Sequence, residues 1–162
     1  MAFRFVRSAG SVHEPAVVSL AASGTVRPGM AVEFTRGSVT TQGFIGPASS
    51  SSTTTNIFGV CLDYAQGASD VEVRVIPFVP GQIWEADCVS AAVTLSVGKK
   101  QQLYGSNSVL INNNAYDHTG AAGVFLVLNI TGSTSGSGKV IGEFLRTPAG
   151  VHQAGIAGEV YW

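Results

Sequence analysis

Charge is what this sequence has least of: nine Lys or Arg and ten Asp or Glu in 162 residues, 12% of the chain, against a usual share of about a quarter. The two signs nearly cancel, leaving a net charge of −1. No basic run occurs, so neither a nucleic acid nor an anionic membrane surface finds an electrostatic footprint. Long apolar stretches are missing too, and none approaches the roughly 20 residues a helix needs to cross a bilayer. The N-terminus interleaves Arg4 and Arg7 with Phe3, Phe5 and Val6, which is not a signal-peptide layout and makes cytoplasmic synthesis the expectation. There are only two cysteines, Cys61 and Cys88, each inside an apolar strand-like run, where a small, buried, reduced side chain is expected.

Catalytic patterns are equally scarce. The chain contains no Gly-x-Ser-x-Gly elbow, no His-Glu-x-x-His, no Cys-x-x-Cys and no phosphate-cradling loop ending in Gly-Lys-Ser/Thr. His13, His118 and His152 are far apart in sequence and read as surface or interface residues. Asp117-His118, after Asn112-Asn113-Asn114, reads as a polar turn. Glu85 and Asp87 alternate as a glycosidase carboxylate pair could, but any solvated strand face shows the same spacing. The expectation is a protein that is not an enzyme and carries no metal or cofactor.

What the chain does have is twenty glycines, six prolines and many Ser and Thr residues, a composition that favours short strands joined by turns. Residues 17–21 and 30–34 read as strands around Ser23-Gly24-Thr25 and Arg27-Pro28-Gly29. Val71-Glu72-Val73-Arg74-Val75 alternates cleanly. In residues 83–89, Trp84, Ala86 and Cys88 share one side while Glu85 and Asp87 share the other. Residues 103–104, 109–111, 124–130 and 140–145 supply further strands; 124–130 is apolar on both faces, which suggests the centre of the fold. Residues 89–95 are ambiguous between helix and strand. Residues 49–55, all Ser and Thr, read as a mobile surface loop, and 132–138 as a flexible connection.

The expected class is therefore all-β: a small β-barrel or β-tulip/sandwich-like domain with an extended N-terminal arm and little helix. The arm covers residues 1–20 and the single β-domain covers 21–162. Within it lies an internal likeness: Ile57-Phe58-Gly59-Val60-Cys61-Leu62 followed by Gly67 matches Val140-Ile141-Gly142-Glu143-Phe144-Leu145 followed by Gly150. Each is preceded by a turn and strand, around Gly29 and Gly98, so two half-repeats of about 24–76 and 92–150 are expected. A glycine inside an apolar strand permits a bulge or a close backbone approach.

The arm and the aromatic C-terminus offer the candidate contact residues. Phe3 and Phe5 share a face at strand spacing, flanked by Arg4 and Arg7, and an arm of this kind often adds to a neighbour's sheet. Tyr161 and Trp162 end the chain in a bulky apolar group that is expected to dock on its own domain or a neighbour. Trp84, Tyr104, Tyr116, Tyr161 and Trp162 could instead stack on sugar rings, so a carbohydrate-binding surface module is the alternative reading.

The order Gly24-Thr25-Val26-Arg27-Pro28-Gly29 then Val32, followed by Asn56-Ile57-Phe58-Gly59-Val60, Gly67 and Val71-Glu72-Val73-Arg74-Val75, resembles the small capsid decoration, or cement, proteins of tailed bacteriophages. With the second half-repeat, the resemblance spans roughly residues 20–160. It implies a compact β-barrel or tulip-like domain that clusters, often as a homotrimer, on the outside of an expanded icosahedral head and clamps adjacent major capsid protein subunits. The implied partners are the major capsid protein and further copies of the chain, and the implied location is the capsid exterior of the virion; a carbohydrate-binding virion module, or a tail or spike-base component, is the alternative within the same resemblance. Low charge, apolar termini and Gly/Ser loops suit a domain that buries surface against many identical neighbours.

Overall fold

The structure, a computed structural model, describes residues 3–8, 16–35, 44–66, 71–89, 97–104, 107–111, 123–132 and 138–146. Among these there is no helix, and the strands in chain order are β1 (Arg4–Ser8), β2 (Val18–Ala22), β3 (Ala31–Phe34), β4 (Ile45–Pro47), β5 (Ile57–Cys61), β6 (Val71–Pro77), β7 (Gln82–Cys88), β8 (Lys100–Gln101), β9 (Leu103–Tyr104), β10 (Asn107–Ile111), β11 (Phe125–Ile130) and β12 (Lys139–Phe144). The all-β class is what the alternation requires. In β6, Val73 and Val75 point into the core while Glu72 and Arg74 stay in water. The expected arm of residues 1–20 is divided: its first part is β1, and β2 already begins at Val18. Residues 89–95 lie almost wholly outside the described residues.

Strands β2, β4, β3, β5 and β6 close into a barrel in that order. The remaining strands form a sheet in the order β8, β11, β12, β7, β10, β9, with β1 added to β7. Its outermost members, β8 and β9, are separated in the chain by Gln102 alone. They are two pieces of one interrupted strand, so the second sheet also curls round on itself.

Pairing by pairing, this second ring repeats the first. Val18↔Val75 and Leu20↔Val73 have counterparts in Trp84↔Gly142 and Ala86↔Val140. The parallel step Ala22↔Ile45 recurs as Cys88↔Ile111, and in each the next N–H donates to the same carbonyl: Ser23 to Ile45 at 2.7 Å and Val89 to Ile111 at 3.1 Å. Phe34↔Ile45 recurs as Leu103↔Ile111, and Val32↔Gly59 as Gln101↔Phe125. The turns match as well. Gly29 N–H donates to Cys61 at 2.7 Å and Gly98 N–H to Val127 at 2.8 Å, both glycines holding φ at +80°. The hairpin ends match too, with Phe78 N–H donating to Phe58 and Leu145 N–H to Val124, each at 2.8 Å.

The backbone pairings thus recur in the two units, in another register from the one the glycines suggest. Gly59 corresponds to Phe125, and Gly142 corresponds to Val75. Each barrel needs one glycine at the same crowded spot, on opposite strands of the same hairpin. A Cβ on Gly59 would collide with the Ile76 carbonyl oxygen, and one on Gly142 with the Leu126 carbonyl oxygen. Their side-chain neighbours are also exchanged: the Cβ position at 59 is 2.8 Å from Val75 Cγ1, and that at 142 is 2.7 Å from Phe125 Cζ. A large and a small residue have swapped places across the hairpin, which conserves packing while erasing the sequence match. Among the described residues the repeated pairings run from Val18 to Phe78 and from Trp84 to Leu145; the expected second half-repeat, 92–150, lies partly outside those residues.

The core explains which strand is central. Ala22, Val26, Val32, Ile45, Phe58, Cys61, Val73 and Val75 fill the first barrel. A second cluster joins Trp84, Cys88, Ile111, Val127 and Val140 to Ala31, Ile57, Val60 and Ile76 from the other face of β3, β5 and β6. The second barrel therefore covers the outside of the first, and β5 is buried at all five positions. The two-sided apolar strand is β5. Its counterpart β11, expected at the centre, exposes Leu128 and Asn129, and no described unit covers its outer face as the second unit covers that of β5. The loop of residues 49–55 is also tied down: Ser52 is buried and its Oγ accepts from Ser49 N–H at 2.7 Å, while Asn56 Oδ1 accepts from Thr53 N–H at 2.5 Å.

Candidate assembly surface

The candidate contact residues at the N-terminus meet in a strand that straps the two barrels together. Antiparallel to β7, β1 sets Arg4 opposite Glu85, Phe5 opposite Trp84, Arg7 opposite Ile83 and Ser8 opposite Gln82, with a bulge at Val6. Phe3, 4% exposed, packs edge-on to Phe144 with ring centres 4.9 Å apart and tilted to Phe125 at 6.2 Å. Its N–H donates to the Gly29 carbonyl of the first barrel at 3.0 Å. Phe5 stands edge-on to Trp84 at 5.4 Å. Such edge-to-face pairs add about 0.5–1.5 kcal/mol each beyond the area they bury.

Phe3 and Phe5 are thus committed to their own domain, while Arg4, Val6 and Arg7 face water. The strap adds to the sheet of its own chain, and deleting residues 1–10 would remove core as well as surface. Tyr161 and Trp162 lie outside the described residues.

A line of charge holds the strap from above. Arg4 bridges Glu85 at 3.2 Å, and Lys139 on β12 reaches Glu85 and Asp87, each at 3.4 Å. Burial works to lower the Lys139 pKa, but the carboxylates of Asp87 and Glu85 outweigh it and hold the ammonium charged. Glu85 and Asp87 are consequently ion-paired anchors, and their spacing serves the strand face. Behind them, burial and the Asp87 charge push the Cys88 thiol up to about 12; burial also raises that of Cys61. Both thiols are buried and free of disulfides, which makes them poor nucleophiles.

The sugar-stacking reading loses its main platform, since Trp84 is 1% exposed and its ring is enclosed by Phe5, Phe78 and Phe144. Tyr104 is 45% exposed; Tyr116 lies outside the described residues. Among the described residues no three His, Cys, Asp or Glu side chains gather as metal ligands, and no helix is long and apolar enough to cross a membrane. The surface instead presents apolar side chains spread over both units, including Val17, Tyr64, Val71, Val79, Tyr104 and Leu128.

One feature of this surface escapes a reading of the sequence. The strand edge that β1 covers on β7 has an equivalent along residues 16–19, the first two residues of β2 and the two before them, where no described residue pairs on the side away from β6. Its only sequence signal is the uncharged run Ala16-Val17-Val18-Ser19, which is unremarkable until the two barrels are superposed by their pairings. Compared with known proteins, the chain matches no family model and no curated sequence.

Proposed function

We propose that this protein is a structural component of a virion: a capsid decoration, or cement, protein that binds the outer surface of a tailed-phage head as a homo-oligomer and stabilises contacts between major capsid protein subunits. It is made in the host cytoplasm and acts without catalysis or a cofactor. The observation that carries the reading is the tandem of barrels with side-chain-filled interiors and a shared apolar core, which exposes isolated apolar residues on a charge-poor surface. Such a body is stiff, offers contact area on both units and has no built reaction centre among the described residues. The resemblance around Gly24–Gly29 and Val71–Val75 supplies the capsid as the partner.

The test is to mix the purified protein with expanded heads that lack an accessory protein and to follow co-sedimentation and heat-induced rupture. Saturable binding at lattice stoichiometry with a raised rupture temperature supports the reading. Absence of binding, with unchanged rupture, contradicts it. A glycan array showing binding that depends on Tyr104 would favour the carbohydrate alternative.

A further inference from the structure

We propose that the edge of residues 16–19, at the start of β2 and uncovered by any described residue, is a self-association site at which two copies of the chain pair this segment antiparallel across a two-fold axis. This goes beyond the capsid reading and does not rest on it. The internal repeat locates the site. In the second barrel the β7 residues opposite β1 are Gln82, Ile83, Trp84 and Glu85; in the first barrel the same places are Ala16 and Val17, just before β2, and Val18 and Ser19, its first two residues. On the β7 edge a strand is bound. On the β2 edge, beyond the single step Ala22↔Ile45, no described residue pairs, and Val17 is 50% exposed.

Three observations choose a second copy as the occupant. First, the outer edge of β1 carries what keeps a sheet edge single: Arg4 and Arg7 exposed, and a bulge between Phe5 and Arg7. Residues 16–19 themselves carry no charge, and Val18 to Ala22 keep an unbroken register with β6 on the other side; an uncharged, regular edge is a template for another strand. Second, an uncharged edge meets its own copy without like-charge repulsion, as an isologous contact requires. Third, a copy that offers residues 16–19 gives up no pairing with any described residue, whereas donating β1 would strip Phe3 from between Phe125 and Phe144. An antiparallel partner also keeps the sense of the strand already seen on β7.

The test is sedimentation velocity of the full chain over a wide concentration range. The expected result is a concentration-dependent dimer, twice the 16.7 kDa chain, that Val17→Lys converts to monomer with unchanged circular dichroism. Val6→Lys, on the guarded edge, leaves the dimer intact. Amide exchange gives a second readout: outward-facing amides of residues 16–19 slow as concentration rises, and do so only without Val17→Lys. A chain monomeric at every concentration, or a trimer or other oligomer that Val17→Lys leaves unchanged, would overturn the proposal.

Discussion

The two barrels share a backbone and differ in what fills it. Where the second has Trp84, Phe125 and Phe144, the first has Val18, Gly59 and Pro77 at the same pairings. The aromatic set of the second barrel is what receives Phe3 and Phe5 from β1. The first barrel, lacking those rings, has no described strand at the matching edge and instead covers its outer face with the second unit. The two units thus keep the same hydrogen bonds while large and small residues trade places between them.

The largest expected effect separates the two units at one position. Trp84→Ala should lower stability by about 4 kcal/mol, since a wholly buried aromatic leaves a cavity under the strap, while Val18→Ala, half-buried on the open edge, should cost about 1 kcal/mol. Equal losses in chemical denaturation would break the distinction between a covered and an uncovered edge. Next come the glycines: Gly59→Ala and Gly142→Ala should each cost about 3 kcal/mol, because the obstructing atom is a backbone carbonyl that cannot turn aside. If only one of the two were costly, the hairpins would not be equivalent.

A smaller and more symmetrical effect is expected at the turns. Gly29→Ala and Gly98→Ala should each cost about 1 kcal/mol through the positive φ. The Cβ site at Gly98 has no atom within 4 Å, so strain there is purely backbone, and matching melting shifts would sharpen the comparison. The smallest effect belongs to the first barrel only. Arg74 forms a two-point bond with Asp63, at 2.8 and 3.0 Å, where the second barrel has Ile141 beside Asn129.

That bond and the Arg74 N–H hold the Asp63 carboxyl down at about 2, from 3.8. A lowered carboxylate pKa stabilises the fold above the unfolded value and loses that contribution as pH falls through the folded one. The melting temperature should therefore slip slightly more between pH 4 and pH 2 in the native protein than in Asp63→Asn. Identical slopes would contradict the assignment.

Strand alternation made the class legible from the sequence, because Val73 and Val75, or Trp84, Ala86 and Cys88, need only a period of two to declare a buried face. The repeat was half legible. Gly29 and Gly98 stand out because both hold positive φ, whereas Gly59 and Gly142 misled, since the crowding they relieve lies between strands and can be met from either side of a hairpin. The Phe3 and Phe5 strap read as a free arm because the rings that receive it, Trp84, Phe125 and Phe144, come from three distant strands. The β2 edge was invisible for the same reason: an unpaired edge is a property of neighbours, not of Ala16-Val17-Val18-Ser19.

The most direct test of the tandem-barrel account is native-state amide exchange at concentrations low enough to keep the protein monomeric. Matched amides, Gly29 with Gly98, Ser23 with Val89 and Phe78 with Leu145, should be protected in step, while outward-facing amides of residues 16–19 exchange fast and their counterparts in 82–85, under β1, exchange slowly. Unmatched protection across those pairs, or equal protection of the two edges, would contradict it.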